Sequence, residues 1–179
     1  MDDAVQTGHV LLLHVLRQVV TDRQKMIVLS RAIRQRDLLD LCTRYGIRHV
    51  PGQIVVVADP QLYLDREDEL PGCSNYFLDE LSLCQEAYGL ETRPLVSHIL
   101  SLCQRAKQAS EGDSKWNVFV STGAPCPAFR ILAANSAVDL RVEDHADILR
   151  GTNCKVAVET RESQRLLAFR VTERNITVV

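Results

Sequence analysis

Hydrophobic positions along the first part of the chain alternate between helical and strand spacing. Residues 9–20 are apolar on nearly every side, which predicts a helix buried on more than one face. Residues 25–30 form an apolar run of strand length, and residues 36–45 place leucines on one helical stripe that Gly46 is suited to cap. After a Pro-Gly turn, residues 53–59 form a continuous apolar run, which is typical of a central parallel strand covered on both faces.

The remainder of the chain changes from helical spacing to strand spacing. Residues 64–75 are the most polar stretch and predict an exposed connection, after which residues 76–88 resume helical spacing. Residues 93–107 repeat apolar side chains as an amphipathic helix does, with Thr92 as a candidate cap. From Trp116 onward the period approaches two, so we expect a strand-rich C-terminal third. This order predicts an α/β fold: a mainly parallel sheet flanked by helices and extended at one edge by C-terminal antiparallel strands.

Composition is typical of one globular domain. The chain has 179 residues, of which 46% are hydrophobic and 25% charged, so we expect a single domain over residues 1–179. The net charge of -2 excludes bulk electrostatic attraction to nucleic acid or to acidic membranes. Arginine outnumbers lysine by 17 to 4, and guanidinium groups are suited to contacts with carboxylates and phosphates. Any contact with DNA is therefore expected to be local.

Residue types that usually carry metal or hydrolytic chemistry are scattered along the sequence. The six cysteines include no C-x-x-C pair and no zinc-binding spacing, so we expect them to be reduced packing residues. The five histidines occur singly, and Ser121 lies in Ser-Thr-Gly rather than in a G-x-S-x-G turn. We therefore expect no metal, no other cofactor and no enzymatic activity.

Membrane contact is not expected either. Asp2 and Asp3 stand where a secretory signal would have basic residues, and no apolar stretch approaches the ~20 residues that cross a bilayer. These features favour the cytosol or the nucleus.

The beginning of the first predicted helix carries a family resemblance. Residues 6–17, QTGHVLLLHVLR, resemble the end of the Walker A loop and the following helix in RecA-like recombinases, where Thr-Gly-Lys-Thr leads into the helix. Thr7 and Gly8 match that run. His9 replaces the lysine that reaches the phosphates, and Val10 replaces the hydroxyl that holds magnesium. The resemblance implies a degenerate nucleotide site or a partner interface at these four residues, without ATP hydrolysis.

Later segments resemble the same family in the same order. RDLLDLCTRYGI followed by PGQIVVVAD resembles a family helix that ends in an Arg-Tyr-Gly turn and the core strand behind it, and SKWNVFVST resembles the strand that enters the second DNA-binding loop. SAVDLRVED, RGTNCKVAV and LLAFRVTERNI are similar to the C-terminal strands of eukaryotic recombinases and their paralogues. The matching pairs there are Arg150 with Gly151 and Cys154 with Lys155. The resemblance implies a RecA-like fold that is shortened and lacks a functional P-loop.

Asp59, at the end of IVVVAD, is open to two interpretations. In the first, this strand is the Walker B strand and the chain lacks one strand-helix unit. In the second, it is only the strand before the Walker B strand. We favour the first because no further apolar strand is recognised before the long helix at residues 93–107. Asp59 then belongs to the degenerate nucleotide site or partner interface.

The resemblance implies an accessory role. A paralogue of this type forms a heterodimer with an ATP-binding RecA-like paralogue and supports the recombinase filament on single-stranded DNA during homologous recombination repair in the nucleus. A RecA-fold ring subunit of Elongator, the complex that modifies tRNA wobble uridines, is the alternative, since such subunits also lack Walker motifs. An unrelated α/β enzyme that uses His9 or Asp59 is the third class.

Arginines near two predicted loops are the candidates for contact with DNA or with the partner. Arg130 is the single charged residue of the predicted loop at residues 122–134. Arg31, Arg34 and Arg36 follow the strand at residues 25–30. Phosphate neutralisation by such groups provides most non-specific affinity for single-stranded DNA. Because these cations are few, we expect the chain to bind DNA mainly through the complex.

Overall fold

The computed structural model describes residues 7–58, 73–87, 91–110, 117–123, 126–147, 152–160, 162–171 and 176–178. The helices and strands in these ranges alternate first and end in a run of strands. In chain order they are α1 (Thr7–Thr21), β1 (Met26–Leu29), α2 (Gln35–Arg44), β2 (Ile54–Val57), β3 (Asn75–Leu78), α3 (Leu81–Ala87), α4 (Thr92–Ala109), β4 (Asn117–Val120), α5 (Pro127–Asn135), β5 (Val138–Asp147), β6 (Thr152–Thr160), β7 (Gln164–Val171) and β8 (Ile176–Val178).

The first four strands form a parallel sheet in the order β2-β1-β3-β4. The register pairs Phe77 of β3 with Val28 of β1 and with Phe119 of β4. All four residues of β1 and of β3, the central strands, are buried. The strand predicted at residues 53–59 is confirmed at Ile54–Val57, but its expected central position is wrong: among the described strands β2 lies at the end of the order, and Val55 is 41% exposed. A continuous apolar run does not by itself distinguish a central strand from an edge strand backed by helices.

Helices cover both faces of the parallel sheet. Met26 and Val28 of β1 lie in one hydrophobic core with α1 and α2. The alternate residues, Ile27 and Leu29, lie in a second core with α3, α4 and α5. Short strands are thus buried between two helical layers, which explains their uninterrupted apolar sequences.

α1 agrees with the sequence pattern. Within residues 11–20 only His14 and Gln18 are exposed, so the predicted broad burial of this helix is confirmed. A short connection joins α1 to β1, so the helix runs back along the sheet in the direction opposite to the strand. The first turn of α1 therefore lies toward the carboxyl edge of the parallel sheet.

The predicted cap of α2 at Gly46 is confirmed. Gly46 has a φ of +69°, and its N–H donates to the carbonyl of Thr43 at 3.1 Å. The N–H of Ile47 donates to the carbonyl of Cys42 at 2.8 Å. These two bonds satisfy carbonyls that the helix end would otherwise leave without partners.

Residues 76–88 do not form the single helix that their spacing predicts. Asn75–Leu78 is the central strand β3, and α3 begins only at Leu81. Between them Glu80 adopts a φ of +55°, which changes the chain direction. A short apolar run fits a buried strand and a buried helix equally well, and here burial between two helical layers decides for the strand.

Two further expectations near the helices are wrong. Residues 127–135 form α5, with proline in its first turn, where a loop over residues 122–134 was expected. Thr92 is the first residue of α4 rather than its cap, which is Glu91. The Oγ1 of Thr92 instead accepts a hydrogen bond from Nε2 of Gln85 at 3.1 Å.

The C-terminal strands form a second, antiparallel sheet in the order β5-β6-β7-β8. The strand-rich C-terminal third is therefore confirmed. Among the residues described, no pairing joins this sheet to β1–β4, so the predicted extension of one edge is wrong. Sequential hairpins pair with each other and need no free edge of another sheet. A single domain over residues 1–179 stays a prediction.

Candidate functional site

Polar residues that end three parallel strands meet at the carboxyl edge of the sheet. Ser30 follows β1, Asp79 follows β3 and Ser121 follows β4, with β3 between the other two strands. The Oγ of Ser30 donates to Oδ2 of Asp79 at 2.8 Å, and the Oγ of Ser121 donates to Oδ1 at 3.0 Å. Both oxygens of one carboxylate are therefore bonded to the neighbouring strands. Open α/β sheets bind their ligands at this edge.

Backbone hydrogen bonds fix the cluster in place. The N–H of Asp79 donates to the carbonyl of Leu29, and the N–H of Ser121 donates to the carbonyl of Leu78, each at 2.9 Å. Asp79 is 6% exposed and Ser30 is fully buried. Hydrogen bonds from hydroxyls to a charged acceptor are strong, and they offset part of the cost of burying the carboxylate.

Glu80 extends the cluster toward the segment that follows β4. Its left-handed backbone costs a residue with a side chain roughly 1–2 kcal/mol. Its N–H donates to Oγ of Ser121 at 3.1 Å, and its Oε2 accepts the N–H of Gly123 at 3.0 Å. A Cβ on residue 123 would lie 3.2 Å from both carboxylate oxygens of Glu80. Glycine at this position therefore leaves room for the Glu80 carboxylate beside the backbone.

Ser30 also shapes the turn that leads to α2. Its Oγ accepts the N–H groups of Ala32 and Ile33 at 3.1 Å each, which is a side-chain-stabilised turn. This turn borders a shallow, open groove at the carboxyl edge. The groove is lined by Arg31, Ala32, Leu83 and Glu86.

Comparisons with known proteins identify the fold. No family model and no curated protein matches the sequence. Among solved structures, the chain is similar to the flagellar accessory protein FlaH from Methanocaldococcus jannaschii, with a TM-score of 0.69 at 13% identity, covering 98% of this chain and 85% of that one. It is also similar to a KaiC-like protein from Pyrococcus horikoshii OT3, with a TM-score of 0.59 at 15% identity, covering 98% and 86%. The fold is RecA-like. At such low identity the likeness extends to the fold alone.

The predicted nucleotide-site residues of the RecA-like fold lie at the start of α1. Thr7, Gly8, His9 and Val10 form the first turn of that helix, at the end that runs toward the carboxyl edge. Their side chains lie outside the described residues. Their assignment to a degenerate nucleotide site stays a prediction.

Asp59 lies outside the described residues as well. The reason for preferring it as the Walker B aspartate is wrong, because β3 is a further apolar strand before the long helix α4. The described acid at the carboxyl edge is Asp79. The sequence pattern does not indicate Asp79, because residues 76–88 have the spacing of one helix. The usable signal was NYFLD, an apolar run that ends in aspartate just as IVVVAD does.

The candidate arginines fall into two places. Arg31, Arg34 and Arg36 are exposed near the start of α2, at the carboxyl edge, and Arg36 lies 3.9 Å from the carboxylate of Asp40. Arg130 is exposed on α5 rather than in a loop. Arg31, Arg34 and Arg36 therefore lie at the same edge of the sheet as Asp79. Arg130 lies on a helix, so the structure does not support a contact made by Arg130 from a loop.

Three of the cysteines whose side chains the structure describes, Cys42, Cys73 and Cys126, lie in the two hydrophobic cores. The thiols of Cys42, Cys73, Cys103 and Cys126 are free. Burial raises the pKa of Cys42 to about 11, and burial also raises the pKa of Cys73 and of Cys103. Thiolates are therefore disfavoured at neutral pH, which argues against nucleophilic roles.

The described ranges contain no candidate metal site and no candidate membrane-spanning helix. No group of three or more His, Cys, Asp or Glu side chains there could hold a metal ion. In the same ranges, no helix has both the length and the apolar character of a membrane span.

Proposed function

We propose that this chain is a non-catalytic RecA-fold subunit. In this proposal it forms a heterodimer with an ATP-binding RecA-like paralogue, and the pair supports recombinase filaments on single-stranded DNA during homologous recombination repair in the nucleus. The observation that carries the proposal is the environment of Asp79, which is 6% exposed and whose two oxygens both accept hydrogen bonds from hydroxyl groups of this chain. An acid held in this way stabilises the sheet and is poorly placed to take up a hydrated magnesium ion.

The sequence at the start of α1 also supports a non-catalytic role. A phosphate-binding loop needs the lysine that reaches the phosphates and the hydroxyl that holds magnesium. His9 and Val10 occupy those positions here. In the proposal, these two positions do not supply the side chains that ATP hydrolysis requires at the carboxyl edge of a RecA-like fold.

A subunit without its own chemistry can still complete a site at a subunit boundary. Heterologous contacts between like folds bring one face of each subunit against a different face of its neighbour. The similar archaeal protein FlaH is described as an accessory protein, which supports an accessory role for a RecA-like fold in general. The partner proposed here is an ATP-binding chain of the same fold, because only such a chain supplies the nucleotide chemistry that this one lacks.

Charge at the carboxyl edge supports a contact with phosphate or with an acidic partner surface. Arg31, Arg34 and Arg36 lie in and just before the first turn of α2, where the helix dipole disfavours positive charge. Cations at this end of the helix gain little from the helix itself and are suited to bind an anion of another molecule. The C-terminal resemblance favours DNA in a recombination complex as the source of that anion.

Affinity purification of the tagged chain from nuclear extract, followed by mass spectrometry, tests the proposal. We expect recovery of an ATP-binding RecA-like paralogue and of the recombinase. Replacing Arg31, Arg34 and Arg36 together with alanine should weaken recovery of the partner or of DNA. The matched control removes three exposed cations at the opposite end of the sheet: Arg44, Arg48 and Lys107. Recovery of Elongator subunits in place of recombination proteins would replace this function with the alternative.

A further inference from the structure

β2 is the last strand of the parallel sheet among the residues described. The carbonyl of Gln53 accepts a hydrogen bond from Met26 of β1 at 2.9 Å, and the carbonyl of Val57 accepts one from Ser30, which follows β1, at 3.1 Å. Because backbone groups alternate between the two sides of a strand, the N–H and C=O groups of Ile54 and Val56 are directed away from β1. These outward groups are the ones with which a further strand would pair.

The side chain of Gln35, the first residue of α2, covers the middle of this row. Its Nε2 donates to the carbonyl of Ile54 at 2.9 Å, and its Oε1 accepts the N–H of Val56 at 2.6 Å. One carboxamide thus satisfies a carbonyl and an N–H on either side of Val55. A residue of a neighbouring parallel strand makes the same pair of contacts.

The strand beneath this carboxamide is well suited to pairing. Ile54–Val57 consists of four β-branched residues without charge, glycine or proline. Val55 is 41% exposed and Val50, just before the turn into β2, is 63% exposed. Proteins commonly protect such edges with charges, prolines or bulges. β2 has none of these within Ile54–Val57, so its protection at this point comes from Gln35.

We propose that Gln35 is an edge-closing side chain: its carboxamide takes the place of an added strand and keeps β2 from pairing with β2 of a second copy of this chain. A second copy is the occupant because it presents the same uncharged valine run at the same edge. The proposal does not depend on the proposed function. It does imply that a heterodimer partner uses a surface other than the outer edge of β2.

Hydrogen exchange and sedimentation of the full chain test the proposal with a matched control. Gln35→Ala removes the contacts to Ile54 and Val56. Gln53→Ala also deletes a carboxamide that bonds to backbone, namely the N–H of Val50 and the carbonyls of Gln24 and Val20, and it leaves the outer edge unchanged. We expect the Val56 amide to exchange at least about fivefold faster in Gln35→Ala than in the wild type, because one hydrogen bond is lost. Exchange at Val28 in the central strand β1 serves as the measure of global opening.

Self-association is the second readout. Gln35→Ala should form dimers or larger species whose fraction rises with concentration, and Gln53→Ala should not. Adding Val55→Lys to Gln35→Ala should restore the monomer, since a charge on an edge strand blocks pairing. If Gln35→Ala does not fold, Gln35→Met takes its place: it keeps the length of the side chain without adding a charge, loses both the donor to Ile54 and the acceptor for Val56, and should show the same effects. Unchanged Val56 exchange, or a folded variant that stays monomeric wherever the wild type does, would overturn the proposal.

Discussion

A carboxylate that is 6% exposed is costly to desolvate unless hydrogen bonds compensate, and Asp79 has two such bonds from the strands on either side of it. The same serine hydroxyls accept backbone N–H groups, Ser30 from Ala32 and Ile33 and Ser121 from Glu80. One acid therefore organises the ends of β1, β3 and β4 together with the turns that leave them. Replacing Asp79 should therefore lower the free energy of unfolding.

Asp79→Ala is expected to lower the free energy of unfolding by about 1–3 kcal/mol, since two hydroxyls lose their acceptor inside the fold. Asp79→Asn keeps the volume and one acceptor oxygen, so it should cost less. Glu162→Ala, which removes an exposed acid from the turn between β6 and β7, is the control and should change stability by about 0.5 kcal/mol or less. Urea unfolding measures all three. Wild-type stability in Asp79→Ala would show that the cluster does not hold the strand ends.

Cys42 gives stability a defined dependence on pH. Burial raises its pKa from 9.0 to about 11 in the folded chain, so the folded state favours the protonated thiol. As pH rises, the unfolded chain releases the thiol proton before the folded chain does. The contribution of Cys42 to the free energy of unfolding should therefore be fully present below pH 9.0 and be lost between pH 9.0 and about 11. Cys42→Ala should reduce this slope. Val19→Ala shortens a side chain of the same core that does not titrate, so it should lower the free energy of unfolding by the same amount at every pH. If the pH dependence of Cys42→Ala has the same slope as that of the wild type, the assignment to Cys42 is contradicted.

The end of α2 depends on the backbone freedom of one glycine. Gly46 has a φ of +69°, and a Cβ placed on it would meet nothing within 4 Å, so substitution costs backbone strain alone. Gly46→Ala should cost about 1 kcal/mol, which lowers Tm by about 2–4 °C in a domain of this size. Arg48→Ala, an exposed neighbour, is the control. Thermal melting that gives equal Tm values for Gly46→Ala and the wild type would argue against this cap.

The sequence predicted those elements whose limits are marked by local chemistry. Gly46 marks the end of α2, and the period of two marks β5–β8. It did not predict β3 or α5, because apolar runs of four to nine residues fit either type of element and only burial decides between them. Missing β3 moved the candidate acid from Asp79 to Asp59. Arg31, Arg34 and Arg36 lie at the same edge of the sheet as Asp79, whereas the role of Asp59, which lies outside the described residues, stays a prediction.

The molecule as a whole combines a RecA-like fold with a nearly neutral charge, and Asp79 is buried at the carboxyl edge of its parallel sheet. Its net charge of -2 provides no general attraction to DNA, so cations must act locally, and those at the start of α2 lie at the edge that carries Asp79. In the proposed function, this chain contributes a surface for assembly and an ATP-binding partner supplies the chemistry of ATP hydrolysis.

Isothermal titration of the purified chain with ATP and magnesium tests the absence of nucleotide chemistry most directly. The account predicts no binding in the micromolar range, because His9 and Val10 replace the lysine and the hydroxyl that the phosphates and magnesium require. The ATP-binding partner recovered by purification serves as the positive control under the same conditions. Micromolar or tighter binding of ATP by this chain alone would contradict the account.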